Sequence, residues 1–229
     1  ESGDVFYGEG IGIKGMKLGE LCFNTAMTGY QEAITDPSYA SQILLFTFPH
    51  IGITGTNKTD VESSEIYLSG VVFKSLSLDY SNWRGLNNIN DWLTKNKVVG
   101  INKINTRDLT IKIREKGALK GAIVNGIDKS FKTEKVIKKI RDWDGIEKQD
   151  LASDVSCKKP NLINNTNKKI RSIDIVALDF GCKKNILDLL AQEGFKTTVL
   201  PYDADFDKIM QYKPQGIFLS NGPGDPFAT

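Results

Sequence analysis

The hydrophobic pattern of this chain becomes regular after about residue 172. Ile173–Leu178 is an apolar-rich run of strand length, and Lys183–Glu193 sets Ile186, Leu189 and Leu190 at helical spacing before Gly194. Thr197–Leu200 reads as a second strand, Asp205–Tyr212 as a helix and Gly216–Leu219 as a third strand. Strict β-α-β-α-β alternation predicts parallel strands joined by crossover helices, the opening part of a doubly wound sheet. Three strands make only a beginning, because such a sheet needs helices over both faces.

Upstream the pattern is less regular. Val5–Tyr7, Leu18–Phe23, Ile43–Phe46, Val71–Phe73, Val98–Ile101 and Gly121–Val124 are short strand candidates. Asn88–Lys95 predicts a helix with Ile89, Trp92 and Leu93 on one face, and Thr133–Arg141 another with Val136, Ile137 and Ile140 inward. Thr106 is placed to cap a helix through Arg114, stopped at Gly117. Strands and helices without βαβ repetition predict a self-contained α+β domain, giving an α/β chain overall. Asp154–Ile170 lacks aliphatic periodicity and is rich in Asn, Lys and Thr. It reads as a linker that proteases reach first, made basic by Lys158, Lys159, Lys168, Lys169 and Arg171; a phosphate or partner patch is the other reading. The expected division is 1–153, a linker at 154–171, and 172–229.

Composition narrows the field without choosing a function. The 229 residues carry 30 Lys and Arg against 28 Asp and Glu, a net charge of +2 that favours neither nucleic acid nor a membrane surface. No apolar run approaches membrane-spanning length, and no secretory leader is visible at the N-terminus. Three cysteines, at 22, 157 and 182, have neither metal-ligand spacing nor the even count of a disulfide framework, so cytoplasm is the expected compartment. The first residue is Glu1 rather than Met, and a piece of a longer chain is expected.

Candidate chemistry centres on Ile217–Pro226, Ile-Phe-Leu-Ser-Asn-Gly-Pro-Gly-Asp-Pro. An apolar strand breaks there on Gly222 and Gly224, which let a ligand approach the backbone, and on Pro223 and Pro226, which cannot join a ladder. At the carboxyl end of a parallel strand, that is a ligand-binding loop. Gly10, Gly12 and Gly15 match G-x-G-x-x-G with Asp36 downstream, but Leu18–Phe23 alternates like a strand. A dinucleotide site needs a helix there, so a glycine-rich hairpin connection is expected instead. Phe23–Tyr39 is dense in hydroxyls and amides and reads as a capped turn ended by Asp36-Pro37. His50, the sole histidine, has no acid or nucleophile beside it in sequence and reads as structural. Cys182 sits between a strand and a helix, where a thiolate is favoured, but no histidine follows it; a packed cysteine is expected.

Ser220-Asn-Gly-Pro-Gly-Asp-Pro resembles the signature of class I glutamine amidotransferases. Phe23–Tyr39, Pro49-His-Ile-Gly, Ser81-Asn-Trp-Arg, Asn105-Thr-Arg-Asp-Leu-Thr, Arg114-Glu-Lys-Gly-Ala and Asp179-Phe-Gly-Cys-Lys-Lys-Asn-Ile resemble the small, glutamine-hydrolysing subunit of carbamoyl-phosphate synthase. The resemblance implies an N-terminal domain that packs on the large synthetase subunit, in a heterodimer, and a glutaminase domain. It implies that Ser38 contacts L-glutamine across the domain interface and that Gly222 and Gly224 line its pocket. It also implies a Cys-His-Glu triad, whose Gly-x-Cys-x-Gly-His-Gln elbow is absent from these 229 residues. The triad is expected to lie beyond Thr229, so no catalytic residue is assigned and the segment alone is expected to be inactive. ATP and Mg would belong to the large subunit; no cofactor, metal or nucleic acid is expected here. Ile53 stands where the family usually carries Asn, which reads as a loop change. The alternative is a naturally short module that docks on the large subunit and hydrolyses nothing. Whether the product feeds arginine or pyrimidine synthesis is left open by the sequence.

Overall fold

The computed structural model describes residues 2–126, 131–167 and 169–228. Lys168, one of the expected linker cations, lies outside the described residues. So does Thr229, the position beyond which the catalytic triad is expected, and that expectation therefore has no structural counterpart here. The chain divides into two compact units, residues 1–146 and 147–229.

The first unit contains β1 (Glu9–Gly12), β2 (Gly15–Asn24), α1 (Tyr30–Thr35), β3 (Gln42–Phe46), β4 (His50–Ile51), β5 (Gly70–Val72) and β6 (Ser75–Leu76). It continues with α2 (Ile89–Lys95), β7 (Val99–Asn102), α3 (Thr106–Lys116), β8 (Leu119–Asn125) and α4 (Thr133–Asp142). A six-stranded sheet runs β1-β7-β5-β3-β2-β8. Its four central strands are parallel, and β1 and β8 pair antiparallel at the two ends. The sheet curls until its edges approach, where the Asn125 amide on β8 donates to the Ile11 and Ile13 carbonyls at 3.0 and 2.9 Å.

β3 lies at the centre, and its side chains feed two cores. Leu44 and Phe46 pack with Ile34, Val71, Phe73, Ile89 and Leu93 on one side. Ile43 and Leu45 pack with Val72, Val99, Leu109, Ile113 and Ile123 on the other. A strand with no solvent face has no polar positions to alternate with, hence its unbroken apolar run. Beyond the second core, a cavity of about 390 Å³ opens among Phe6, Leu21, Ile101, Leu109, Ile123 and Ile137.

Several local expectations change. The N-terminal strand is Glu9–Gly12 rather than Val5–Tyr7, because β7 supplies its ladder from far along the chain. It does not pair with β2, so the glycine-rich stretch is two separated strands and not a hairpin. No helix starts there, in keeping with rejection of the dinucleotide motif. Asn105, not Thr106, caps α3 by accepting from the Asp108 amide, and Gly117 closes it at φ 83°.

The second unit holds α5 (Ala152–Val155), β9 (Asn161–Ile163), β10 (Ile173–Asp179), α6 (Lys184–Gln192), β11 (Phe195–Pro201), α7 (Phe206–Gln211) and β12 (Gly216–Leu219). Its sheet runs β12-β10-β11-β9, with β10 parallel to both neighbours and β9 antiparallel to β11. The segment expected as a linker is therefore not a free crossing. Asn161–Ile163 forms an edge strand on β11, and Val155 and Ser156 are buried. The polar run was misleading because an edge strand needs only backbone groups to join a ladder. On α6, Leu189 points outward and Ala191 is buried instead.

Candidate functional site

β10 leads to β11 on one side and β12 returns on the other, so the winding reverses between β10 and β12. In an open α/β sheet such a reversal marks the usual ligand position, a crevice outside the carboxyl ends of the two strands. Two loops meet there, 179–183 after β10 and 220–226 after β12.

Asp179 organises the first loop. One carboxylate oxygen accepts from the Gly181 and Cys182 amides at 3.0 and 2.8 Å, and the other from the Cys157 amide at 2.8 Å. The second loop is fastened to the first. The Phe180 amide donates to Ser220 Oγ at 3.0 Å, the Asn221 side-chain amide donates to the Gly181 carbonyl at 3.1 Å, and the Lys183 amide donates to Asn221 Oδ1 at 3.4 Å. Gly222 is pressed against this framework, where a Cβ would collide with the Phe180 carbonyl oxygen. Gly224 has φ 76°, a left-handed conformation that favours glycine. Both glycines are exposed while Pro223 between them is buried, so the backbone is anchored from behind and open in front. Chemically this is a rigid peptide surface able to meet a polar ligand.

Around the crevice, the Phe180 and Tyr202 rings stand edge to face with centroids 6.0 Å apart. The Tyr202 hydroxyl donates to Asp150 at 2.5 Å, and that bond pushes its pKa up to about 12. It stays a neutral phenol.

Cys22 and Cys157 are held as neutral thiols by their surroundings. Cys182 is half-buried, its amide held by Asp179 and its thiol donating to the Lys183 carbonyl at 3.5 Å. Burial pushes the Cys157 thiol up to about 11, with the Asp179 charge acting the same way, and burial pushes Cys22 up to about 12. His50 lies exposed on β4 of the first unit, edge-on to Phe48 with centroids 6.3 Å apart. Among the described residues no cluster of three or more His, Cys, Asp and Glu side chains has metal-binding geometry.

Ser38 belongs to the first unit. It sits half-buried in the 3-10 turn Pro37–Tyr39, its amide donating to Asp36 Oδ1 at 2.9 Å. Asp36 is itself buried. The Asp-Pro-Ser turn is thus rigid, with the serine next to its cap.

Comparison with known proteins gives the decisive finding. The family described as carbamoyl-phosphate synthase small chain, CPSase domain, matches residues 1–123, more than half of the chain. This chain belongs to the carbamoyl-phosphate synthase small chain family. The class I glutamine amidotransferase family matches residues 176–229, the part that carries the crevice. Among similar proteins, the carbamoyl phosphate synthase small chain of Pseudomonas syringae pv. tomato is 44% identical over 98% of this chain and 62% of its own length. The small chain of Bartonella henselae is 43% identical over 100% of this chain and 61% of its own, and that of Neisseria meningitidis serogroup B 43% over 98% and 61%. The chain thus spans about three fifths of the length of the curated relatives it matches.

Sequence reading located the glycine loop but missed its scaffold. Asp179 and Asn221 lay inside quoted motifs without a role, because nothing in the string says that one loop hydrogen-bonds the other. The carboxylate within Asp-Phe-Gly-Cys, directly after a strand, was the available signal: Asp side chains there bond amides two and three residues on.

Proposed function

We propose that the protein carrying these residues hydrolyses L-glutamine and passes ammonia to a large synthetase subunit, which makes carbamoyl phosphate from bicarbonate and ATP with Mg. The observation that supports this most directly is the anchored Gly222–Gly224 backbone at the switch point, in the stretch that matches a class I amidotransferase. In the proposed reaction, a thiolate attacks the side-chain amide carbon of glutamine and the carbonyl electrons move onto oxygen. Peptide N–H groups of the glycine loop stabilise that oxyanion. The proton taken from the thiol is returned to the amide nitrogen as the intermediate collapses, ammonia leaves, and water hydrolyses the thioester to glutamate and the free thiol. Ser38 hydrogen-bonds the bound glutamine.

The nucleophile is not assigned to any residue from Glu1 to Thr229. Cys182 follows the first strand of its parallel run and its thiol is turned to its own backbone. Residues 1–229 alone are expected to release no glutamate, since loss of the reactive group costs many thousandfold even where binding survives. Glutaminase assays on the full-length protein and on residues 1–229, with and without the large chain, test this reading. Turnover by residues 1–229 that Cys182→Ser abolishes would overturn it and make Cys182 the nucleophile of a different enzyme.

A further inference from the structure

The amidotransferase match begins at residue 176 and the match upstream of it ends at residue 123, so residues 124–175 fall in neither. Part of that interval, the segment 150–157 with α5 in it, is bonded to the same end of the sheet as the crevice. All of it lies in the second unit. Asp179 closes β10 and Tyr202 directly follows β11, and the segment is tied to both residues. The Cys157 amide donates to Asp179 at 2.8 Å, the Tyr202 amide donates to Ser156 Oγ at 3.1 Å, and the Tyr202 hydroxyl donates to Asp150 at 2.5 Å. Asp150 also fixes its own end of the segment, its other oxygen accepting from the Ser153 amide at 3.1 Å.

Between those ties lies Leu151, 3% exposed. It stands directly behind Gly224. The three heavy atoms nearest to where a Cβ on Gly224 would sit, chain neighbours aside, all belong to Leu151, at 3.4–3.6 Å. Gly222 is supported differently, against the Phe180 carbonyl. The two glycines of the loop thus rest on different supports, one from the loop after β10 and one from a segment upstream of the whole sheet. A glycine visits several φ regions at little cost, so it keeps a left-handed conformation only where its neighbours confine it. For Gly224 that neighbour is Leu151. The ties that hold Leu151 differ in depth, since Ser156 is buried whereas the bond between Tyr202 and Asp150 is exposed. An exposed hydrogen bond adds little to global stability, and what this one contributes is placement.

We propose that residues 150–157 form a positioning element of the glutamine site. Leu151 holds Gly224 in its left-handed conformation, and the bonds from Tyr202 to Asp150 and Ser156 hold Leu151 under the loop. The inference rests on the function proposed above. Leu151, Asp150 and Tyr202 act through the Gly224 backbone and take no part in the bond-making steps.

Steady-state glutamine hydrolysis by the full-length protein is the test, for wild type, Leu151→Ala, Tyr202→Phe, Asp150→Ala and Asp150→Asn, each with its melting temperature. Leu151→Ala should raise KM for glutamine by about tenfold or more and lower kcat by less, because the displaced loop meets glutamine in the ground state as well as along the reaction. Tyr202→Phe keeps its ring on Phe180 and loses only the hydroxyl, so KM should rise by about threefold with the melting temperature held. Asp150→Ala should weaken glutamine binding at least as much. Asp150→Asn keeps an acceptor for both Tyr202 and Ser153 and should recover most of that loss. A purely structural defect lowers the fraction of active enzyme, so that kcat falls at unchanged KM. That pattern in Leu151→Ala and Tyr202→Phe overturns the inference, as does wild-type kinetics in both, and either result leaves the proposed function intact. A full-length wild type that hydrolyses no glutamine overturns both.

Discussion

β3 and β12 look alike as strings: Ile-Leu-Leu-Phe and Ile-Phe-Leu, both short and wholly apolar. In the fold they differ. Ile43 to Phe46 of β3 are all buried, held between the two cores of the first unit. In β12, Ile217 and Leu219 are 51% and 64% exposed, and the strand pairs with β10 alone among the described residues. The second unit's compact cluster is correspondingly small: Val176, Leu178, Leu200 and Ile209. An apolar strand is an opportunity for burial, and the layers around it decide how much burial results. The first unit is held chiefly by packing. The loop edge of the second is held by a hydrogen-bonded lattice around Asp179 and Asn221.

That contrast puts the largest stability effects in β3. Phe46→Ala should destabilise the protein by about 3–5 kcal/mol, while Leu219→Ala should change stability by less than about 0.5 kcal/mol. Urea unfolding of both variants measures the difference, and equal losses would erase the contrast. Gly222→Ala should act on the lattice itself. With Phe180's carbonyl in the way, the loop must move, and glutamine affinity of the full-length protein should fall by well over tenfold, about 1.4 kcal/mol per decade. Wild-type binding by that variant would mean that the loop is not rigid.

Subtler changes sharpen the comparison. Asp179→Asn keeps the side chain's shape but leaves the Cys157 amide or the 181–182 amides without their acceptor, a cost of roughly 1–3 kcal/mol. It should raise KM for glutamine more than it lowers kcat. A double-mutant cycle with Asn221→Ala should be non-additive, because the two side chains brace the same loop. Ser38→Ala, in the packed unit, should leave stability almost unchanged yet raise KM for glutamine by the loss of one hydrogen bond, roughly 1–3 kcal/mol. Unchanged glutamine kinetics would make Ser38 a turn residue and nothing more.

The smallest effect is electrostatic. Burial raises the Glu32 carboxyl, so the folded chain holds that proton to higher pH than the unfolded chain does. The stability it contributes is complete below the unfolded carboxylate range and is lost as pH rises through the folded value. Glu32→Gln should therefore raise the melting temperature at neutral pH by about a degree, after discounting for solvent screening, and leave it unchanged in acid. A gain that persists in acid would assign the effect to packing instead of charge.

What the sequence determined by itself was local. The Ser220–Pro226 loop was legible because glycine and proline impose backbone chemistry wherever they occur, and the capped helices Ile89–Lys95 and Phe206–Gln211 because 3.6-residue spacing and an Asn or Asp cap are properties of one segment. Decisions that need a distant partner were not legible. Glu9–Gly12 became a strand because β7 lay alongside, and Asn161–Ile163 because β11 had an open edge, against a polar composition that argued for a linker. The same reason separates the glycine loop from its supports. A hydrogen bond between Asn221 and Gly181, or the approach of Arg84 to Asp60, joins residues forty and twenty-four positions apart. Only the path of the chain through space brings such pairs within hydrogen-bonding reach, and no periodicity or spacing in one dimension encodes it.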